Sequence, residues 1–171
     1  MPVPRARLPN GDAAMKTPAR LPVHRGFTLV ELLVTVTILA ILGAAGGPAF
    51  SRMIASQRTK AIAGDLHTAL VRARSEAIKR NTDVVLTPVT SGQWQYGWYI
   101  ANPGLAGAKL DDHAAIANAT VTGPASVVYR SNGRLGGNTT PSFDISATGA
   151  TEHRCIQIDL SGHPYQTASA C

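Results

Sequence analysis

Glu31 is the residue whose position most clearly suggests chemistry, because it is a single carboxylate inside the apolar run of residues 27–50. A charged side chain in the middle of a membrane helix costs about 2.5–3.5 kcal/mol on insertion scales, so an acid in such a run indicates a function. A carboxylate there can pair with an ammonium group, since their attraction is strong in a low dielectric and offsets the burial cost of each. The alternative is that Glu31 lies near enough to the helix end to reach the lipid headgroups.

The apolar run itself predicts a helix that crosses a membrane. At about 1.5 Å per residue it would be about 36 Å long, against a hydrocarbon core of about 30 Å. Gly43, Gly46, Gly47 and Pro48 lie at its end. Glycine weakens a helix interior and proline removes a backbone hydrogen bond, so we expect a kink or a loosened segment near Pro48. A simple helix end at the membrane surface is the alternative.

Residues 26–31, with the sequence GFTLVE after a basic residue, resemble the processing site of type IV pilins and pseudopilins. The resemblance implies that a prepilin peptidase and methyltransferase cuts between Gly26 and Phe27 and N-methylates Phe27. It also implies that Glu31 meets the N-terminal amine of a neighbouring subunit when a filament assembles. In such proteins a proline like Pro48 commonly marks a helix segment that loosens as subunits pack.

Residues 1–26 are then a leader on the cytoplasmic side of the inner membrane. They are rich in proline and carry five basic residues against one acid, Asp12, a composition that does not form a packed core. An ordinary secretory signal would be cut after its apolar run, whereas the resemblance places the cut before it, so the run is retained as an anchor. Met15 offers an alternative start, which would leave a leader of twelve residues ending at Gly26.

The charge is unevenly distributed, and the formal value of +6 is misleading. The leader contributes most of it. Residues 52–80 hold seven basic and two acidic side chains, a net charge of +5, whereas residues 81–171 hold four basic and six acidic ones, a net charge of −2. The overall basic charge is therefore no argument for nucleic-acid binding by the mature chain.

A second helical pattern covers residues 51–80. Apolar residues at helical spacing predict one buried face, formed by Ile54, Ile62, Leu66, Ala69, Leu70, Ala73 and Ala77. The basic residues Arg52, Lys60, Arg74 and Lys79 lie mostly off this face. Just outside a bilayer they could bind lipid headgroups or acidic neighbours, but a merely solvated face is the favoured interpretation. The whole helix is predicted from about Phe27 to Arg80.

The remaining residues, 81–171, predict strands and loops. Residues 84–86 and 94–100 form the first hairpin around Ser91-Gly92, and residues 101–122 are read as a long insertion. Residues 127–129 resume a strand before a turn at 131–134, and two further alternating strands follow. The expected strand positions on the buried side are Phe143, Ile145, Ile156, Ile158 and Leu160. The predicted fold class is α+β, with the helix packed on an antiparallel sheet.

This order of elements, together with Trp94, Gly97 and Trp98 in the hairpin, is similar to the GspH/FimT group of minor pseudopilins. The resemblance implies a type IV pilin-like fold with four parts. They are a cleaved leader of residues 1–26, a transmembrane or filament-core helix of 27–50, an amphipathic helix of 51–80 and a periplasmic β-rich domain of 81–171. The mature chain would be a single-pass protein of the bacterial inner membrane.

Cys155 and Cys171 both lie in the part that would be exported. An even number of cysteines in an oxidising periplasm predicts a disulfide that closes the C-terminal tail, with two free thiols as the alternative. The loop-entropy estimate for so short a loop is about 3 kcal/mol.

Neither a cofactor site nor an active site is predicted. The chain lacks a phosphate-binding Gly loop and the usual zinc motifs. Asp111, Asp112 and His113 are adjacent in a predicted loop, which favours a solvated cluster over a metal site. Asp159, Ser161 and His163 are too close in sequence for a catalytic triad. We therefore expect a protein that is not an enzyme and holds no metal.

The resemblance implies a minor pilin or pseudopilin of a type II secretion system or type IV pilus, whose partners are the peptidase, other filament subunits and membrane lipid. The second reading is a FimT-like DNA-binding minor pilin. DNA-binding relatives carry a Gly-Arg-x-Arg motif in their final strands, but the matching turn here, residues 161–165, has no arginine. Arg130 and Arg134 are the remaining candidates for DNA contacts. Few phosphates can be neutralised by two or three cations, so we expect weak, salt-sensitive DNA binding at most.

Overall fold

The computed structural model describes residues 26–171, apart from the side chains at positions 45 and 48. One helix, α1, runs from Leu29 to Arg80. Eight strands follow, and these are β1 (Val84–Thr90), β2 (Gln93–Ala101), β3 (Lys109–His113), β4 (Ala119–Thr122), β5 (Val127–Tyr129), β6 (Ser142–Ala147), β7 (Arg154–Ile158) and β8 (Pro164–Thr167). The chain divides into two compact units, the residues up to Ala40 and Ile41–Cys171. The α+β prediction is confirmed.

The strands form one antiparallel sheet in the order β5-β1-β2-β4-β6-β7-β8, and β3 pairs with β2 beside this path. The predicted first hairpin is correct, with Leu86 opposite Ile100 and Thr90 opposite Gln93. The insertion predicted over residues 101–122 is wrong, because β3 and β4 lie within it. Both strands are short, β3 is mostly polar, and their strand character comes from hydrogen bonds to β2 and β6.

Gly97 lies where β2 changes its pairing partner. Gln93 pairs with β4, whereas β3 pairs with β2 only from Trp98 onward. Gly97 has a φ of 98°, and a Cβ at this position would overlap the carbonyl oxygen of His113. A residue with a side chain is strained in both respects, so glycine lets β3 approach β2 closely.

The core lies between one face of α1 and one face of the sheet. On the helix the buried residues follow a spacing of three or four, and they are Ala55, Thr59, Ile62, Ala63, Leu66, Ala69, Leu70, Ala73 and Ala77. The sheet contributes Trp94, Phe143, Ile145, Ile156 and Ile158, all fully buried. Several of the helix positions are alanine, which lets the helix backbone lie close to the large side chains of the sheet.

Two predicted core positions are wrong. Ile54 is 47% exposed, and its neighbour Ala55 takes the buried position instead. A shift of one residue rotates a helix by about 100°, so Ile54 lies off the face that meets the sheet. Leu160 is 44% exposed, because β7 ends at Ile158 and Leu160 lies in the turn that follows.

Candidate functional site

The start of α1 is built by Thr28. The backbone N–H of Glu31 donates to the Thr28 hydroxyl at 3.1 Å, and the N–H of Leu32 donates to the Thr28 carbonyl at 3.1 Å. Thr28 is therefore the N-cap, and Glu31 occupies the third helical position of a Thr-x-x-Glu sequence. Sequence reasoning missed this pattern, although the Thr-x-x-Glu spacing was the signal for it.

The cap determines where the processing residues and Glu31 lie. Gly26 and Phe27 precede the helix, and both are exposed, with Phe27 at 77%. Glu31 is exposed in the first turn, where a carboxylate is favoured by the partial positive charge of the helix N-terminus. The arrangement leaves the bond after Gly26 outside the helix and places an acid one turn away from it.

The first stretch of α1 exposes its apolar side chains on every side. Leu29, Leu33, Leu39 and Ile41 are each more than 60% exposed. Within the described part of the chain no single helix is long and apolar enough to cross a membrane, but the segments Leu29–Ala44 and Ala49–Arg80 together meet that criterion. Pro48 lies between the two segments, and the loosening expected near it stays a prediction.

Arg74 connects the C-terminal part of α1 to two turns of the sheet. Its guanidinium donates to the carbonyl of Gly133 at 3.0 Å and to that of Ser161 at 3.3 Å. The turns themselves touch, since a Cβ at Gly162 would overlap the Gly133 carbonyl. Arg74 is half-buried at the edge of the packed face, and its long side chain reaches carbonyls that helical periodicity cannot show.

Arg130 and Arg134 are brought together by a tight turn. Arg130 N–H donates to the Arg134 carbonyl and Gly133 N–H donates to the Arg130 carbonyl, both at 2.8 Å. Both arginines are exposed and line a cavity of about 150 Å³, together with Asn138 and Leu160. The two arginines, which are close in the sequence, are therefore also close in the structure.

The acidic segment of β3 is occupied by pairs within the chain. Asp111 lies 2.9 Å from Arg72, and Asp112 lies 3.1 Å from Lys109. His113 stacks on Trp98 with ring centroids 4.1 Å apart. Among residues 26–171, no group of three or more His, Cys, Asp and Glu side chains is arranged to hold a metal ion.

The turn after β7 contains Asp159, Ser161 and His163, and these residues are not arranged as a catalytic triad. The Asp159 carboxylate accepts hydrogen bonds from the Ser161 hydroxyl at 2.6 Å and from the backbone N–H of His163 at 2.9 Å. These two bonds, the Ser161 one first, hold the pKa of Asp159 below its ordinary value. In this arrangement the acid contacts the hydroxyl directly, whereas a triad needs an imidazole between them.

The tail is closed as predicted. Cys155 of β7 and Cys171 form a disulfide with Cα atoms 5.0 Å apart. The backbone N–H of Cys171 also donates to Asp144 at 3.3 Å, and the same carboxylate pairs with His153 at 2.9 Å. The chain end is therefore held on both β6 and β7.

A long N-terminal helix with an exposed apolar start, packed further along on an antiparallel sheet, defines a pilin-like class of protein. Two crystal structures of the type IV minor pilin FimU of Pseudomonas aeruginosa share this fold, with TM-scores of 0.56 and 0.58. They are 24% and 22% identical to this chain, covering 63% and 66% of it and 91% and 90% of their own lengths. No curated protein matches the chain.

The family described as type II transport protein GspH matches residues 63–162, more than half of the sequence. The prokaryotic N-terminal methylation motif matches residues 22–47. The chain belongs to the GspH family and is a GspH/FimT-like minor pseudopilin, as its sequence predicts. Members of this family are structural pilin subunits.

Proposed function

We propose that the chain is a minor subunit of a filament of the type IV pilus or type II secretion class, made as a precursor and cut between Gly26 and Phe27. The observation that carries the proposal is the geometry of the helix start. The scissile bond precedes the N-cap at Thr28, so it lies in accessible, non-helical backbone. Cleavage there would leave a new amine, N-methylated on Phe27, at the head of an apolar helix.

In this proposal the parts of the chain have successive roles. Residues 1–26 are the leader, 27–50 form the membrane anchor and later the filament core, 51–80 form the amphipathic helix and 81–171 the periplasmic domain. Pro48 is proposed as the point at which the helix loosens during packing. The partners are the peptidase and methyltransferase, the other pilins or pseudopilins and the lipid of the inner membrane.

Glu31 is proposed to direct assembly. Its carboxylate would pair with the Phe27 amine of a neighbouring subunit, because two opposite charges in a low dielectric relieve each other's burial cost. The exposed leucines and valines around it would pack on the helices of neighbours, which explains an apolar surface that residues 26–171 leave exposed.

Two measurements test the proposal. The intact mass of the membrane-extracted protein, from cells with an active peptidase, should correspond to a chain that begins at Phe27 and carries one methyl group. A mass that retains residues before Phe27 would contradict the processing role. Replacing Gly26 by a bulkier residue should block the cut, whereas Gly26→Ala is expected to be cut in part.

Assembly is tested by Glu31→Leu and the near-isosteric Glu31→Gln. Both variants should insert normally and be missing from sheared filament fractions. The control is Glu76→Gln, on the same helix, where the carboxylate pairs with Arg80 at 2.6 Å within its own chain. Glu76→Gln should join filaments like the wild type. Normal incorporation of Glu31→Leu would contradict the assembly role.

DNA binding is a second candidate function, favoured by the shared cavity of Arg130 and Arg134. Two exposed arginines neutralise few phosphates, so we expect binding weaker than micromolar at near-physiological salt. A mobility-shift titration of the detergent-solubilised chain against the double variant Arg130→Ala, Arg134→Ala tests this. Micromolar or tighter binding that is lost in the double variant would make DNA a ligand of the protein.

A further inference from the structure

Three cations of α1, just after the apolar run, have no partner among residues 26–171. Arg52, Arg58 and Lys60, which we call the basic collar, are exposed, and no hydrogen bond or ion pair joins them to any of the described residues 26–171. The later cations of α1 differ. Arg72 pairs with Asp111, Arg74 donates to two carbonyls, and Lys79 and Arg80 both pair with Glu76.

No carboxylate among residues 26–171 forms an ion pair with the collar. Between Glu31 and Asp65 the helix contains no Asp or Glu. Glu152, just before β7, accepts from the Ser56 hydroxyl of α1 at 3.0 Å and lies 3.9 Å from Arg154. Its charge is thus already opposed by Arg154. The collar therefore carries three exposed positive charges that are free to bind an external anion.

The cations of the collar do not lie on one face of the helix, and the sheet covers the sector at Ala55 and Thr59 between them. At about 100° per residue, the three side chains leave the helix axis in directions about 80°, 120° and 160° apart. A protein neighbour docks on one side of a helix and would meet one or two of them. A layer of lipid headgroups can meet all three on the sides of the helix that the sheet leaves open.

The position along the helix also fits a headgroup layer. The collar begins two residues after Phe50, the end of the apolar run, and extends over about 12 Å of helix. Met53 and Ile54, which are 60% and 47% exposed, lie between its cations. Apolar side chains interleaved with arginine and lysine suit the boundary between acyl chains and headgroups, because the long basic side chains can extend toward the phosphates.

We propose that the basic collar binds the anionic headgroups of the phospholipids around the anchor, on the side of the membrane that holds the β-rich domain of residues 81–171. The inference rests on the proposed membrane-anchored function. Cytoplasmic flanks are enriched in Lys and Arg, but the collar lies at the opposite end of the apolar run from the leader, so that bias does not account for it. Bound headgroups would hold the subunit at a defined depth until it leaves for a filament.

The test uses the full chain reconstituted in vesicles of phosphatidylcholine with phosphatidylglycerol. Electron spin resonance of spin-labelled lipids measures how strongly each lipid associates with the protein. We expect phosphatidylglycerol to be preferred over phosphatidylcholine by about fivefold at low salt, and the preference to shrink as salt screens the charges. In the triple variant Arg52→Gln, Arg58→Gln, Lys60→Gln the preference should fall to about onefold.

A matched triple variant distinguishes an effect of the collar itself from an effect of the net charge of the helix. Arg72→Gln, Lys79→Gln, Arg80→Gln removes the same charge from the same helix, farther from the apolar run, and should keep the preference. Equal loss in both variants would overturn the inference, and so would an unchanged preference in the collar variant. Loss of cross-links to neighbouring subunits in the collar variant, without a lipid preference in the wild type, would also overturn it in favour of a protein partner.

A second measurement, whether the chain stays in the vesicles after alkaline carbonate extraction, distinguishes failure of the inference from failure of the proposed function. A wild-type chain that is extracted from the vesicles contradicts the membrane anchor and the inference together. A chain that is retained but shows no lipid preference contradicts the inference alone. Fluorescence of the buried Trp94 and Trp98 reports whether each variant is folded.

Discussion

The two stretches of α1 have the same secondary structure but different surroundings. From Leu29 to Ala40 the side chains are exposed all around the helix, whereas from Ala55 to Ala77 one face is buried under the sheet. The second stretch is stabilised by contacts within its own chain. The first stretch presents an apolar surface that the rest of residues 26–171 leaves exposed. An amphipathic helix can bury its apolar face against the rest of its own chain. A helix that is apolar on all sides can bury that surface only against lipid or other proteins.

The largest expected difference between the stretches comes from one leucine in each. Leu66 is fully buried, so Leu66→Ala should lower the free energy of unfolding by about 2–5 kcal/mol through lost contacts and a cavity. Leu33 is 61% exposed, and Leu33→Ala should change it by less than about 0.5 kcal/mol. Chemical denaturation in detergent micelles, followed by tryptophan fluorescence, measures both. Similar losses in the two variants would contradict the comparison.

Removing the disulfide tests how much the edge strand β8 contributes to the stability of the second stretch of α1. β8 contacts α1 through Gln166, whose side-chain amide donates to the carbonyl of Ala63 at 3.2 Å. Removing the link by Cys155→Ser, Cys171→Ser should lower the free energy of unfolding by about 3 kcal/mol, because the unfolded chain is no longer constrained. Retention in carbonate-washed membranes should not change. Adding a reductant should lower the unfolding free energy of the wild type and leave that of the double variant unchanged. A wild type whose unfolding free energy does not change with reductant would contradict the prediction.

A pair of threonines compares the stretches at equal chemistry. Each donates its hydroxyl to the carbonyl four residues earlier, Thr37 to Leu33 and Thr59 to Ala55. Only Thr59 is buried, and its hydroxyl also accepts from the N–H of Ala147 at 3.1 Å.

Thr59→Val would leave that amide unpaired and should cost about 1–3 kcal/mol of unfolding free energy. Thr37→Val should be nearly neutral. The denaturation assay in micelles distinguishes them, and a neutral Thr59→Val would mean that the amide finds another partner.

The smallest expected effect is on the acid side of the pH range, at the turn that Arg74 joins to α1. Since the pKa of Asp159 is lowered by the Ser161 hydroxyl and the His163 amide, its carboxylate stabilises the folded state above the ordinary Asp pKa. That contribution is lost as the pH falls through the lowered value. Asp159→Asn should therefore flatten the fall in stability below about pH 4, where Asp ordinarily titrates.

Ser161→Ala serves as the control for this prediction, because it removes the larger of the two causes and keeps the carboxylate. It should flatten the same fall in part. Denaturation midpoints at neutral and acid pH give both slopes. A slope unchanged in Asp159→Asn would assign the acid sensitivity to other carboxyl groups.

Local sequence signals determined much of this fold. The apolar run, the helical spacing from Ile62 to Ala77 and the turn at Ser91-Gly92 each depend on neighbours in the chain, so their outcome could be predicted. The pairing of Cys155 with Cys171 followed from there being only two cysteines. The start of the helix was also encoded locally, in Thr28 and Glu31, although the cap was not recognised in advance.

Only the tertiary structure decided the rest, because it depends on contacts between residues far apart in the chain. β3 and β4 are strands since β2 and β6 offer them hydrogen bonds, and Arg74 is bound since two turns present carbonyls to it. The register of α1 against the sheet selected Ala55 over Ile54. The basic collar became distinct for the same reason. Seven cations look alike in the helical sequence, and only the folded chain shows that four have partners and that Arg52, Arg58 and Lys60 have none among the residues described.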